Sequence, residues 1–156
     1  MMKNLFQILC GLFLVVSYSS CMHSEEDKVD VLIIGGGASG VTSGIQSARM
    51  GANTLILEES TWLGGMLTSA GVSAVDGNYR LPAGLWGEFK NRLSDYYGGL
   101  DSLKTGWVSN VLFEPSVGNK ILHEMVAAEN NLKVWKQACL EEVKRTGDEW
   151  VAKVKV

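Results

Sequence analysis

The feature that most constrains this chain is a run of glycines directly behind a short apolar segment, in DVLIIGGGASGVTSGIQSARMG at residues 30–51. The segment from Val29 to Ile34 is short, β-branched and almost continuously apolar, which is typical of a buried strand in a parallel sheet. The next six residues, Gly35 to Gly40, fit the pattern G-x-G-x-x-G. Together they predict a strand, a tight glycine turn and a helix.

Each glycine of the pattern has its own physical reason. Gly35 permits the tight turn out of the strand, and Gly40 lets the following helix pack close to it. Gly37 lets the backbone approach a pyrophosphate without a Cβ atom in the way. The first turn of the helix, at Ala38 and Ser39, directs free N–H groups and the positive end of the helix dipole at the phosphates. This local chemistry predicts a bound nucleotide.

The register of the residues that follow strengthens that prediction. The small residues at steps of four, four and three after Gly40 are Gly44, Ala48 and Gly51. They give the helix one flat face toward the sheet. Asn53 to Leu57 predicts a second strand, and Glu58 ends it, 23 residues after Gly35. That is close to the roughly 20 residues expected before an acid that accepts hydrogen bonds from a ribose hydroxyl.

An alternative is a βαβ unit in which these small residues serve packing alone and Glu58 is a solvated strand end. The agreement of strand, turn, helix and acid favours a dinucleotide instead. Glu58 suits an adenosine ribose with free hydroxyls and disfavours a 2′-phosphate, which argues against NADP. These residues by themselves leave FAD and NAD both open.

Residues 30–71 resemble the N-terminus of FAD-dependent oxidoreductases of the glutathione-reductase-like flavoprotein superfamily, whose pattern is GxGxxGxxxGxxxAxxG, then six residues, then Glu. Trp62 to Thr68 (WLGGMLT) extends the resemblance, because such flavoproteins often place a second glycine pair shortly after the acid. LGGMLTSAGVSAVDGN (63–78) and FEPSVGNKIL (113–122) are similar to one branch, the FAD-dependent oxidoreductases grouped with heterodisulfide reductase A-type flavoproteins.

The resemblance implies FAD as the cofactor. It places Gly64 and Gly65 near the FAD pyrophosphate, whereas the residues alone are equally consistent with a plain turn. In flavoproteins of this type the residues that join the third strand to a hairpin contact adenine, largely through backbone, and these map onto Ala138 and Cys139. The predicted cofactor-binding residues are Gly35, Gly37, Ala38, Ser39, Gly40, Glu58, Glu59, Gly64, Gly65, Met66 and Ala138.

The middle of the chain predicts two more helices. Residues 84–97 have apolar side chains at three- and four-residue steps, which predicts an amphipathic helix ended by Gly98 and Gly99. Residues 100–114 show no clean period and predict a loop. Pro115 predicts the first turn of the next helix.

The C-terminal part predicts strands. Residues 132–135 form an apolar run, and 140–145 with 150–156 alternate around a turn, which predicts a third strand and a β-hairpin. The predicted fold class is therefore α/β, a Rossmann-like FAD/NAD(P)-binding fold with a parallel sheet flanked by helices plus a β-hairpin. Residues 29–156 would form the N-terminal part of this domain, which we expect to be incomplete.

The N-terminal residues predict a targeting signal outside the fold. Leu5 to Val16 is largely apolar but far shorter than the ~20 residues of a membrane-spanning helix. Ser19-Ser20-Cys21 resembles the lipobox of bacterial lipoproteins, although Tyr18 stands where that pattern usually has an aliphatic residue. We predict a signal peptide at residues 1–20. We also predict that Cys21 is lipidated and begins a polar tether at residues 21–28. An ordinary signal peptide or an uncleaved anchor is the alternative.

The charge and the cysteines of the chain limit the functions that it can have. A net charge of −3 offers no basic footprint for nucleic acid. Cys139 would be the remaining thiol, without a redox partner, and is expected to be a small buried hydrophobe. No metal site is predicted.

The resemblance implies the FAD-binding portion of an exported flavin-dependent oxidoreductase, lipid-anchored in the periplasm or outer membrane of a Gram-negative-type envelope. Its C-terminal half would be missing or a separate chain. The alternatives are a truncated non-catalytic envelope lipoprotein or nucleotide-binding module, and an NAD-binding Rossmann module.

Overall fold

The computed structural model describes residues 26–104 and 109–156. The predicted signal peptide, Cys21 and residues 105–108 of the predicted loop lie outside the described residues. In chain order the strands and helices are β1 (Val31–Ile34), α1 (Ala38–Arg49), β2 (Thr54–Glu58), β3 (Ala74–Val75), α2 (Gly84–Tyr97), β4 (Val111–Leu112), α3 (Pro115–Ala127), β5 (Leu132–Lys136), β6 (Cys139–Thr146) and β7 (Glu149–Lys155). Short 3₁₀ helices occur at Gly65–Leu67 and Leu100–Leu103.

Three parallel strands form the central sheet, in the order β1-β2-β5. Val31 at the start of β1 lies opposite Thr54 of β2, and Glu58 at the end of β2 lies opposite Lys136 of β5. Parallel neighbours require crossover connections, which α1 supplies between the first two strands. This arrangement confirms the predicted α/β, Rossmann-like fold.

The sheet is covered by helices on one face and by the hairpin β6–β7 on the other. Successive side chains of a strand point to opposite faces. Ile56 of β2 therefore packs in the main core with α1, α2 and α3, whereas its neighbours Leu55 and Leu57 pack with Ala138 and Val154 under the hairpin. The domain thus has three layers, with the sheet in the middle.

The predicted helices and hairpin are confirmed. α2 occupies the predicted range and ends at Gly98, whose φ of 77° is left-handed, and α3 begins at the predicted Pro115. Arg49 at the end of α1 joins the helices, because it pairs with Glu88 of α2 at 2.6 Å and with Glu129 after α3 at 2.8 Å. Within the described ranges, no helix is long and apolar enough to cross a membrane.

The prediction that the first strand is buried is wrong. β1 begins at Val31 rather than Val29, its side chains are half-buried, and Ile34 is 54% exposed. The cause is its place at the edge of the sheet, since in the described part of the chain β1 pairs with β2 alone. An apolar run predicts a strand, but it does not show which neighbour covers the strand's outer edge.

The predicted loop at 100–114 is partly ordered structure. Leu100–Leu103 is a 3₁₀ helix, and β4 pairs antiparallel with β3, with Ala74 opposite Leu112. Strands of two residues are too short to show a period-2 pattern, so the sequence carries no signal for them.

Candidate functional site

The glycine turn lies at the carboxyl end of β1. Gly35 has a φ of +97°, which favours glycine, and its N–H donates to the Leu57 carbonyl at 2.8 Å. A Cβ on Gly40 would overlap the Gly35 carbonyl oxygen. The turn is therefore closed by direct backbone packing between the end of the strand and the first turn of α1, as the glycine pattern predicted.

Gly37 is the N-cap of α1, with φ −63° and ψ 178°. The N–H of Val41 donates to the Gly37 carbonyl at 2.9 Å, and the amides before Val41 belong to the first turn, where a helix has no internal acceptors. A Cβ on Gly37 would meet nothing within 4 Å, so the space in front of this helix end is open. Ala38 is half-buried and Ser39 is exposed in the same turn.

Glu58 lies at the end of β2, beside the glycine turn. Its Oε2 accepts the N–H of Gly36 at 2.6 Å, and its Oε1 accepts the N–H of Ser60 at 2.8 Å. Burial by itself would raise the pKa of the Glu58 carboxyl, but the hydrogen bonds from Ser60 and from the Gly36 amide outweigh burial and lower it. Glu58 is therefore an ionised acceptor held in a fixed orientation at neutral pH.

Gly36 belongs to this site, although the glycine pattern treats its position as variable. A Cβ there would lie 2.8 Å from Leu63 Cδ2 and 3.0 Å from Glu58 Oε2. The one signal in the sequence was that Gly36 makes three glycines consecutive, at a position where the pattern requires none.

The second glycine pair packs against the first glycine turn. The N–H of Gly64 donates to the Gly36 carbonyl at 2.8 Å, and Gly64 forms an isolated parallel bridge with Gly37. A Cβ on Gly65 would approach Gly37 Cα to 3.1 Å. The loop of Gly64 and Gly65 thus lies beside the open N-terminus of α1, where the resemblance placed it.

A pocket of about 260 Å³ opens at the carboxyl ends of β1 and β2. Its lining residues are Ile34, Gly35, Leu57, Glu58, Glu59, Ala138 and Leu140. Ala138 is buried, and its N–H donates to the Glu58 carbonyl at 3.0 Å, which fixes the chain between β5 and β6 against the end of β2. The predicted Glu59 and Ala138 are therefore brought together with Glu58 in one pocket.

One residue differs from expectation at this edge. Cys139 is exposed rather than buried, because β6 starts at the rim of the pocket, and its Sγ lies 3.4 Å from Glu59 Oε1. The neighbouring Glu59 carboxylate raises the pKa of the Cys139 thiol, which disfavours the thiolate. The predicted Met66 is 68% exposed and lies outside this pocket lining, as Gly37 and Gly65 do, and its cofactor contact stays a prediction. Among residues 26–104 and 109–156, no group of three or more His, Cys, Asp or Glu could hold a metal ion.

The fold and this site define the class of protein. A parallel sheet with a glycine turn after its first strand, a helix N-terminus open to solvent and an acid at the end of the next strand is the arrangement of Rossmann-like FAD/NAD(P)-binding domains.

The comparisons with known sequences narrow the class to a family. The sequence model of the family described as FAD dependent oxidoreductase matches residues 30–156, and the chain belongs to that family. No curated protein sequence was similar enough to count as a match.

Solved structures are similar to this chain at low sequence identity, and the two with a TM-score of 0.56 share its fold. AlpK is 15% identical with a TM-score of 0.56, over 83% of this chain and 28% of that chain. CabE, an aromatic hydroxylase from angucycline biosynthesis, is 15% identical with a TM-score of 0.56, over 82% of this chain and 27% of its own. Thioredoxin reductase of T. acidophilum is 21% identical with a TM-score of 0.49, over 83% of this chain and 31% of its own. The chain therefore spans less than a third of each.

FAD is the cofactor that the family indicates, and the residues present fit it. A Cβ on Gly37 would enter open space, so backbone is accessible where a phosphate would need close approach. Glu58 presents an ionised carboxylate at the pocket beside that space. A diphosphate and a ribose require these two features one strand apart.

Proposed function

We propose that this chain is the FAD-binding portion of an exported flavin-dependent oxidoreductase. The observation that carries the proposal is Glu58, whose carboxylate is anchored by the amides of Gly36 and Ser60 and borders both the pocket and the glycine turn. Because this carboxylate is already ordered, binding a ribose does not require the loss of entropy that ordering a flexible side chain would involve.

The proposed contacts follow from the geometry of the site. The diphosphate would lie against Gly37 and the first turn of α1, with the loop of Gly64 and Gly65 on its other side. Glu58 would accept hydrogen bonds from the ribose, and Glu59 and Ala138 would border the adenine. Bound flavin supplies redox chemistry, and this part of the protein binds and orients it.

FAD titration of the 156-residue chain, followed by flavin fluorescence, tests this function. We expect saturable binding of FAD and a higher melting temperature with FAD than with NAD. Glu58→Ala should weaken FAD binding at least about tenfold, since it removes a charged hydrogen-bond acceptor. The matched control is Glu149→Ala, an exposed carboxylate at the start of β7 that is remote from the pocket.

Three results would count against the proposal. Stabilisation by NAD but not by FAD would favour the NAD-binding alternative. Equal FAD affinity of Glu58→Ala and the unsubstituted chain would remove the ribose role from Glu58. Tight FAD binding without reduction of any acceptor dye would favour the non-catalytic envelope lipoprotein.

We further propose that the protein is anchored by lipid at Cys21, in the periplasm or outer membrane of a Gram-negative-type envelope. The support is the sequence alone, namely the apolar stretch from Leu5 to Val16 followed by Ser19-Ser20-Cys21. Cells fed a labelled fatty acid should incorporate it into the protein, and Cys21→Ser should abolish the label, whereas Cys139→Ser should keep it. Label that persists in Cys21→Ser would refute the anchor.

We also propose that further polypeptide, continuous with this chain or separate from it, completes the domain. Among the described residues no strand pairs with the outer edge of β1, which supports this proposal. The exposed apolar side chains beside that edge and on the hairpin also support it, with Ile34 54% and Trp150 71% exposed. Sequencing the gene beyond codon 156 for a continuing frame checks for this further polypeptide.

The similarity of residues 63–78 and 113–122 to flavoproteins grouped with heterodisulfide reductase A suggests that the chain belongs to that branch of the family.

A further inference from the structure

The loop that carries Gly64 and Gly65 is held by two side chains that lie outside the glycine pattern. The N–H of Leu63 donates to Asn119 Oδ1 at 2.9 Å, across 56 residues of sequence. The Leu63 carbonyl accepts a hydrogen bond from Thr68 Oγ1 at 2.5 Å. Both backbone polar groups of Leu63 are therefore bound by side chains rather than by regular secondary structure.

Leu63 connects these side chains to the glycine turn. Its side chain is 0% exposed, and the next residue, Gly64, donates to the Gly36 carbonyl at 2.8 Å and bridges to Gly37. Gly64 has a φ of +106°, and a Cβ there would meet Leu122 Cδ1 at 2.6 Å. Any displacement of Leu63 must therefore move the loop away from the turn that faces the open end of α1.

Asn119 differs from Thr68 because it belongs to another element. Thr68 lies five residues from Leu63 and moves with the same loop. Asn119 is in the first half of α3, whose neighbouring residues Val117 and Ile121 are buried in the main core. Its hydrogen bond thus connects the loop to a packed helix, which holds the loop in one position relative to α3.

We propose that Asn119 is a positioning residue for the diphosphate end of the cofactor site. The proposal rests on the proposed function and adds a residue that acts without touching the ligand. With the bond intact, the loop of Gly64 and Gly65 is preformed, so binding does not have to order it. Without it, the half-buried N–H of Leu63 has lost its acceptor and the loop gains freedom.

The test uses two measurements on the 156-residue chain. Amide hydrogen exchange in the nucleotide-free protein should be about tenfold faster at Leu63 to Gly65 in Asn119→Leu than in the unsubstituted chain. ADP and FAD should bind about tenfold more weakly to that variant, while adenosine, which lacks phosphates, should bind equally well. Asn119→Asp retains an oxygen acceptor and should restore the slow exchange.

Controls separate this role from a general loss of stability. Asn91→Leu makes the same chemical change at an exposed position of α2 and should alter neither measurement. If Asn119→Leu does not fold, Asn119→Ala replaces it in both measurements. Unchanged exchange at Leu63, or equal weakening of adenosine and ADP, overturns the positioning role. Failure of the unsubstituted chain to bind ADP or FAD instead overturns the proposed function.

Discussion

Gly37→Asp should abolish measurable FAD binding and leave the fold as stable as before. Gly37 is the N-cap of α1, and a side chain there would enter open space, with nothing within 4 Å of its Cβ. Aspartate is among the preferred N-cap residues, so the free energy of unfolding should stay within about 0.5 kcal/mol of the original. The new carboxylate would occupy the space proposed for the diphosphate.

The expected loss of binding has both a steric and an electrostatic part. Two like charges about 4 Å apart repel by roughly 4 kcal/mol near a protein surface, which corresponds to at least about a hundredfold in affinity. Gly37→Asn is the matched control, because asparagine caps a helix with the same shape and no charge. The affinity of Gly37→Asn for FAD should lie between that of the unsubstituted chain and that of Gly37→Asp. FAD titration and urea unfolding measure the two effects separately.

If Gly37→Asp binds FAD as tightly as the unsubstituted chain does, the diphosphate does not lie at the end of α1. A large fall in stability without a change in affinity would show that the space in front of Gly37 has a structural role.

Gly40→Ala should have the opposite result, a large loss of stability. A Cβ at Gly40 would overlap the Gly35 carbonyl oxygen and lie 3.0 Å from the carbonyl carbon. Backbone cannot rotate away as the end of a flexible side chain can, so α1 must shift from the end of β1. We expect about 3 kcal/mol of destabilisation and a fall in melting temperature of about 10 °C.

Gly77→Ala is the matched control for Gly40→Ala. Gly77 is exposed, and a Cβ there would meet nothing within 4 Å. Thermal unfolding of both variants should show a change only for Gly40→Ala. Equal melting temperatures for Gly40→Ala and the unsubstituted chain would mean that α1 does not pack as closely on Gly35 as the structure shows. FAD should partly restore stability if the variant still binds it.

The part of the fold that the sequence predicted correctly is the part set by short-range spacing. The turn at Gly35, the start of α1 and the end of β2 at Glu58 all lie within one βαβ unit, in which each residue type has a local reason for its position. The apolar periods of α2 and the alternation of the hairpin are likewise properties of consecutive residues.

The sequence was a poorer guide wherever a contact depends on how distant elements pack. Cys139 was expected to be buried because a lone thiol usually is, but its exposure depends on where β6 meets the end of β2. The half-buried state of β1 depends on which strands lie beside it, and an apolar pattern is the same in a central strand and in an edge strand.

The sequence by itself determined a strand, a glycine turn, a helix and an acid in the correct order, because close backbone approach permits only glycine at Gly40 and the end of a strand determines where Glu58 can lie. Only the tertiary structure decided that Gly36 orients the Glu58 carboxylate and that Asn119 holds Leu63, across 22 and 56 residues of sequence respectively. A hydrogen bond requires its two atoms to lie within about 3 Å of each other. That distance is set by the packing of α3 and the loops against the sheet, which the spacing of residues along the chain does not encode.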